Sequence, residues 1–363
     1  MNEEPALVRV VDQVRDAAAS GRALDIRGGA SKAFYGGALV GEPLDLRPLS
    51  GVSSYEPTEL VVTVRAGTRL SELEVLLEAH GQCLPFEPPR YSPSSTVGGM
   101  VAAGLAGPAR ANVGSVRDHV LGMNVVNGRG ELLTFGGQVA KNVAGYDVSR
   151  LMVGALGILG VICDVSLKVL PTPVASATMT FELPEVEALR RLREWAAKPL
   201  PISASAWHEG MLALRLSGAK AAVDDACSQL SGSVRNADES REFWASIRDQ
   251  QHPFFVLSEQ DLAAGECLWR CSLPPNSAPI AIPGQQFIEW HGAQRWWRSR
   301  APTADIRRSA LAKGGHATLV RGKDKSAGVF MPLNSNLMTL HRALKQAFDP
   351  KRLFNRGRMY AEL

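Results

Sequence analysis

Three stretches of this chain combine glycine with small hydroxyl side chains, a composition that brings backbone N–H groups close to a ligand. The first is Arg27-Gly28-Gly29-Ala30-Ser31-Lys32, at the end of a short apolar run, with Gly36-Gly37 just after. Successive small residues turn their amides toward one concave point, and such a nest holds an anion, most often phosphate. Ser31 adds a hydroxyl and Lys32 a positive charge. A plain turn after a strand has the same composition. No G-x4-G-K-[ST] phosphate loop is present, and no G-x-G-x-x-G opens a helix at this point. The second stretch runs from Pro88 to Gly104, PPRYSPSSTVGGMVAAG. Its prolines set an extended approach, Ser94, Ser95 and Thr96 offer hydroxyls and a helix N-cap, and Val97, Gly98 and Gly99 begin a helix of small residues. This composition also suits a helix packed closely on a sheet. The third stretch is Lys141-Asn142-Val143-Ala144-Gly145-Tyr146-Asp147, with Gly154, Gly157 and Gly160 following at intervals of three and Asp147 as a helix cap.

The titratable residues are more scattered. His316 follows Gly314-Gly315, and Arg295 and Arg321 are arginines that could hold a carboxylate or lie at the surface or between subunits. His80 ends a helix, where the helix dipole alone explains it, and His119, His208, His252 and His341 have no partner pattern. Cys267 and Cys271 form a C-x3-C pair without a second Cys or His pair at metal spacing, so two small buried side chains are expected and no metal. Trp290, Trp296 and Trp297 read as a core cluster, with Arg298 and Arg300 marking a solvated edge.

The elements that would position these groups are legible in outline. The chain has 363 residues, enough for two domains. Its 40 Lys plus Arg against 36 Asp plus Glu give +4, too small a surplus for a nucleic-acid footprint. No apolar run reaches the length of a membrane span, the first residues hold no apolar signal core, and five scattered cysteines make a poor disulfide framework, so a cytoplasmic protein is expected. Of 34 glycines, 23 lie in residues 1–160, whereas all seven tryptophans lie from Trp195 onward. Pro171-Thr-Pro173 separates the two compositions. In the first part the patterns predict a helix over 6–19, strands over 23–27 and 60–64, and a helix over 70–80 capped by Thr68. Strands over 119–126, 131–135 and 160–169 follow, with a turn at Asn127–Gly130. The second part predicts strands and helices alternating from 177 to 231, strands near 266–272, 285–290 and 316–321, and a helix over 333–347. The fold class is α+β, with an antiparallel sheet and helices in the second part.

Together the three small-residue stretches resemble the FAD-binding domain of the vanillyl-alcohol-oxidase, or PCMH, type over residues 5–172. The tail Phe348-Asp349-Pro350 with Leu353-Phe354-Asn355 is similar to that family's C-terminal motif. The resemblance implies a flavin domain of two α/β subdomains over 1–172, a smaller cap domain over 173–332, and a segment over 333–363 returning to the first. It implies FAD along Arg27, Gly28, Gly29, Ala30, Ser31 and Lys32, and along Ser94, Ser95, Thr96, Val97, Gly98 and Gly99. Gly157 and Ile162 would lie near its adenosine part and Asn355 near the flavin edge. Ala30 stands where a third glycine is usual and Cys163 where Thr is common. No His or Cys stands where covalent flavin would need one, so the cofactor is expected to be non-covalent.

Several further segments are similar to the glycolate oxidase (glycolate dehydrogenase) E-subunit family: Gly104–Arg110, Lys141–Leu151, Glu289–Trp296 and Gly314–Leu319. This implies oxidation of a small 2-hydroxy acid, glycolate, to glyoxylate, with electrons passing to an acceptor other than oxygen. It also implies a larger flavin subunit and an iron–sulfur subunit as partners, which can bring the chain to a membrane. His316 is then the candidate base, and Arg295 and Arg321 the candidate carboxylate clamps. Two alternatives stand beside this reading: a flavin-carrying subunit that relays electrons without its own base, and a scaffold without flavin.

Overall fold

A computed structural model describes residues 4–137 and 147–363. The segment Lys141–Tyr146 therefore lies outside the described residues. The chain divides into two compact units. The first comprises residues 1–105, 115–171 and 332–363, and the second comprises 106–114 and 172–331.

In the first unit the helix Pro5–Ser20 starts on proline and stops at Gly21, whose φ of 68° is left-handed. Its buried residues Ala6, Val10, Val14 and Ala17 recur at helical spacing. They pack on Leu24, Leu44, Leu46, Leu49, Leu353 and Phe354, so the two ends of this unit's sequence share one core. The strand Leu24–Arg27 pairs in parallel with Glu42–Asp45, and Leu24 also bridges to Phe354. A five-stranded antiparallel sheet follows the order Val52–Glu56, Val61–Arg65, Val161–Lys168, Val120–Val126, Leu132–Gly136. Its central strand Val161–Lys168 is buried over its first seven residues, as an inner strand covered on both faces must be. At the hairpin turn, Asn127 Oδ1 accepts from the amides of Arg129 (2.9 Å) and Glu131 (3.1 Å).

One expected cap differs. The helix Leu70–Glu78 has Arg69, not Thr68, at its N-cap. The Thr68 hydroxyl instead accepts from Gly51 N at 2.9 Å and donates to Gly51 O at 3.0 Å. It ties down a preceding loop, one residue before the helix's N-cap position. Asp147 does cap a helix, Val148–Met152, by accepting from Arg150 N at 3.2 Å.

The second unit is built on an eight-stranded sheet whose paired strands all run antiparallel. The strand order is Ser233–Val234, Ala175–Glu182, Met211–Gly218, Ile202–His208, Gln285–Glu289, Gln294–Ser299, Cys267–Ser272, His316–Arg321. Trp269 and Trp297 face each other across two of these strands, each about 1% exposed, over Ile306 and Ala310 of the helix Thr303–Leu311. Residues 106–114 belong to this unit, whereas the sequence boundary placed them in the first. Trp290 explains the difference: its Nε1 donates to Gly107 O at 3.0 Å, and the Arg110 guanidinium stacks 4.6 Å from its ring. Among the described residues no helix is long and apolar enough to cross a membrane.

Candidate functional site

The first unit contains a groove walled by three segments of small residues. Arg27, Gly28, Gly29, Ala30, Ser31 and Lys32 form one wall, Thr96, Gly98, Gly99, Ala102 and Ala103 another, and Leu156, Gly157, Gly160, Ile162, Asn355 and Arg358 a third. The structure thus gathers segments far apart in sequence. Ser94, Ser95 and Val97 stand behind the lining. Ser94 Oγ donates to Gly29 O at 2.7 Å, Ser95 Oγ accepts from Lys32 Nζ at 2.8 Å, and Val97 is fully buried.

The glycines explain how the walls meet. A Cβ on Gly28 would lie 2.1 Å from Thr96 Oγ1, and one on Gly29 would lie 1.5 Å from Ser94 O. These two residues are glycine because the second loop lies directly on the first. Gly157, with φ +74°, is similarly backed by Asn355 Nδ2 at 2.7 Å. Gly98 is backed by Ala66, whose Cβ would be 2.7 Å away, so its missing side chain serves packing. Gly99 lines the groove, and a Cβ there would meet only Thr96 Oγ1, at 3.2 Å.

The donors differ from the expectation drawn from the second stretch. The helix Val97–Ala103 does not present free amides at its start. Val97 N donates to Thr68 O (2.9 Å), Gly98 N to Ala66 O (2.8 Å) and Gly99 N to Thr96 Oγ1 (3.3 Å). The first loop is the open donor set. Among the described residues, no protein acceptor takes the amides of Gly28, Gly29, Ala30 or Ser31. Ala30 has φ +52°, so the loop carries the left-handed turn of an anion nest even where alanine replaces glycine. Two cations stand at this loop. The Arg27 guanidinium is held by Asp25 at 2.5 Å, and Lys32 lies 5.7 Å from the centre of the Tyr91 ring. The donor set and the small-residue walls fit a stretched diphosphate-bridged dinucleotide.

Arg358 was not foreseen. It is about 6% exposed, lines the groove, and donates to the carbonyls of Lys32 (3.2 Å), Ala33 (2.9 Å) and Gly37. It thereby sets the loop that follows the nest, and burial lowers its pKa. Its only sequence signal is its place three residues after Asn355.

The three candidates in the second unit do not share one face. Along the edge strand His316–Arg321, His316 pairs with Ser272 and Thr318 with Arg270; a bulge at Val320 then puts Arg321 opposite Leu268. Ser272, Arg270 and Leu268 alternate, so His316, Arg321 and Arg270 lie on one side of the sheet. Arg295 pairs with Cys271 and faces the other side. It is fully buried, and its guanidinium donates to the carbonyls of Gly292 (3.1 Å), Ala278 (3.0 Å) and Ser277, with Glu185 at 3.8 Å. Arg295 is therefore a structural arginine, which corrects its reading as a clamp. Its donors are spent on backbone that forms no strand of its own. Desolvation and then the Arg270 charge lower the His316 pKa. Cys267 and Cys271 are free thiols, and burial pushes Cys271 up to about 12. No metal-holding cluster exists among the described residues.

Comparison with known proteins agrees with the groove. Residues 8–136 match an FAD binding domain family. The chain is 46% identical to glycolate oxidase subunit GlcE of Escherichia coli, over 98% of this chain and 97% of that protein. The chain belongs to the GlcE family of glycolate oxidase subunits. Glycolate oxidase subunit GlcD of Bacillus subtilis is 23% identical over 86% of this chain and 78% of its own. Among solved structures, an alkyldihydroxyacetonephosphate synthase matches with a TM-score of 0.61 at 15% identity, over 95% of this chain and 74% of that one, which shows a shared fold. The GlcE-family chain is thus an FAD-binding α+β protein.

Proposed function

We propose that this chain is the FAD-carrying subunit of a glycolate-oxidising complex, and that it removes two electrons and two protons from the 2-hydroxy acid to give glyoxylate. The observation that supports this most is the groove: a nest with open amides, walls of small residues, and the near full-length likeness to a glycolate oxidase subunit. FAD, when bound, supplies the two-electron acceptor for the hydrogen leaving C2. Arg270 and Arg321, on one side of the sheet with His316, hold the carboxylate. His316 takes the hydroxyl proton, and its lowered pKa keeps the imidazole neutral near pH 7, as a base requires. A larger flavin subunit and an iron–sulfur subunit receive the electrons, and no membrane span is needed in this chain if those partners provide attachment.

Anaerobic addition of glycolate to the FAD-loaded chain tests the reading. Bleaching of the flavin spectrum, lost in His316→Ala with flavin content unchanged, is the expected result. Bleaching in the assembled complex but not in the chain alone would assign it the relay role. Absence of flavin bands after reconstitution would leave only the scaffold.

A further inference from the structure

Lys345 is the only fully buried residue of the helix Ser335–Phe348, a position where an apolar side chain would be ordinary. It is about 3% exposed, and its partner Asp349, one turn later, is fully buried. The ammonium group has three donors and three acceptors: Ile158 O (2.6 Å), Asp349 Oδ2 (2.8 Å) and Phe354 O (2.9 Å). The carboxylate in turn accepts from Leu353 N (2.9 Å) and Phe354 N (2.8 Å). Such a pair is costly to desolvate and is a poor source of stability against an apolar replacement. Its placement therefore calls for another reason.

Both carbonyls that Lys345 grips adjoin the groove. Ile158 follows Leu156 and Gly157, and Phe354 precedes Asn355; Leu156, Gly157 and Asn355 are lining residues. Asn355 sits in a left-handed conformation, φ 42°. Its amide donates to Leu24 O at 3.0 Å, its Oδ1 accepts from Ile26 N at 2.8 Å, and its Nδ2 donates to Leu156 O at 2.6 Å. The Asn355 side chain thus ties the nest strand to the turn at 156–158, and the Lys345 ammonium ties that same turn to the residue before Asn355. Without the ammonium, Asn355 would lose the support that keeps it strained between two walls.

We infer that Lys345, through its buried pair with Asp349, is a positioning residue that sets Asn355 and the 156–158 turn at the spacing FAD requires. This rests on the groove being the FAD site. It does not rest on the oxidation chemistry of the second unit.

The test uses the full chain and FAD itself, with affinity read by quenching of flavin fluorescence and stability by circular dichroism of the FAD-free protein. Lys345→Met leaves Asp349 charged and unpaired. Lys345→Met with Asp349→Asn removes that unpaired charge, keeps only one of the two bonds that the carboxylate accepts from Leu353 N and Phe354 N, and leaves the Ile158 and Phe354 carbonyls ungripped. The double variant should remain folded at room temperature, with a lower unfolding temperature than the parent, and bind FAD at least tenfold more weakly. Parent-like FAD affinity in the double variant would overturn the inference, whatever its unfolding temperature. Hydrogen exchange on the unaltered chain gives a second reading. FAD should slow exchange at the amides of Ile26, Leu353 and Phe354, and unchanged exchange there, with FAD bound, would equally overturn it. A parent that binds no FAD would refute the site assignment instead.

Discussion

At the level of single residues, the groove separates two uses of glycine that look identical in sequence. Gly98 and Gly99 are adjacent and both line the groove, but a Cβ on the first would strike Ala66 at 2.7 Å, whereas one on the second would meet only Thr96 Oγ1, at 3.2 Å. Gly99→Leu should keep the fold by circular dichroism and lose more than nine-tenths of the flavin absorbance. Gly98→Leu should lower the unfolding temperature even without FAD, because the new side chain strikes Ala66. Equal behaviour of the two variants would contradict the assignment. Arg295 gives a further residue-scale expectation. Arg295→Met strands three carbonyls and should cost about 3 kcal/mol in urea unfolding, while the folded fraction keeps its KM. The nest was legible only as one of two readings, because a plain turn after a strand has the same small residues, and the open amides of Gly28 to Ser31 show only in the structure. Arg295 was misread, because its distance in sequence from His316 carries no information about which side of a sheet it faces.

At the level of elements, the edge strand His316–Arg321 decides the candidate chemistry of the second unit. Simple alternation over five residues would put Arg321 opposite in sense to His316, and the bulge restores it. Nothing in HATLVR announces a bulge, so this placement could not be read from sequence. If His316 is the base, the acid limb of kcat/KM should lie below pH 6.5. The Arg270 charge favours the neutral ring, so Arg270→Gln should move that limb upward. A limb unmoved by Arg270→Gln would detach His316 from the reaction. Helices were read where spacing and stop signals coincide, as for Pro5–Ser20 ending at Gly21. The helix Ala237–Arg248 was missed although the Asn236 side chain caps it by accepting from Asp238 N (2.8 Å) and Glu239 N (3.4 Å), because one of its three buried positions is Ser240, which leaves only Trp244 and Ile247 to an apolar pattern. The strand Gln294–Ser299 was missed because its alternate residues are buried on both faces, which erases the period of two.

At the level of the whole molecule, two half-buried histidines set a pH response. Desolvation lowers the pKa of His291, and desolvation with the nearby His208 lowers that of His252. As pH falls below about 6.5, the unfolded chain takes up protons at these positions and the folded chain resists, so stability falls with pH through that range. Urea midpoints at pH 7.5 and 5.5 should show the loss, and replacing His252 with Phe should reduce it; a flat profile in the parent would contradict it. The division into two compositions at Pro171–Pro173 was visible in the distribution of glycine and tryptophan. The transfer of residues 106–114 to the second unit was not, since it depends on what Trp290 touches. The bond between Ile26 N and Asn355 Oδ1 joins residues 329 positions apart. Every residue of the second unit is made between them. A ribosome must therefore finish that entire unit before the groove can be latched on both sides, so the pocket is completed late in the synthesis of each new molecule.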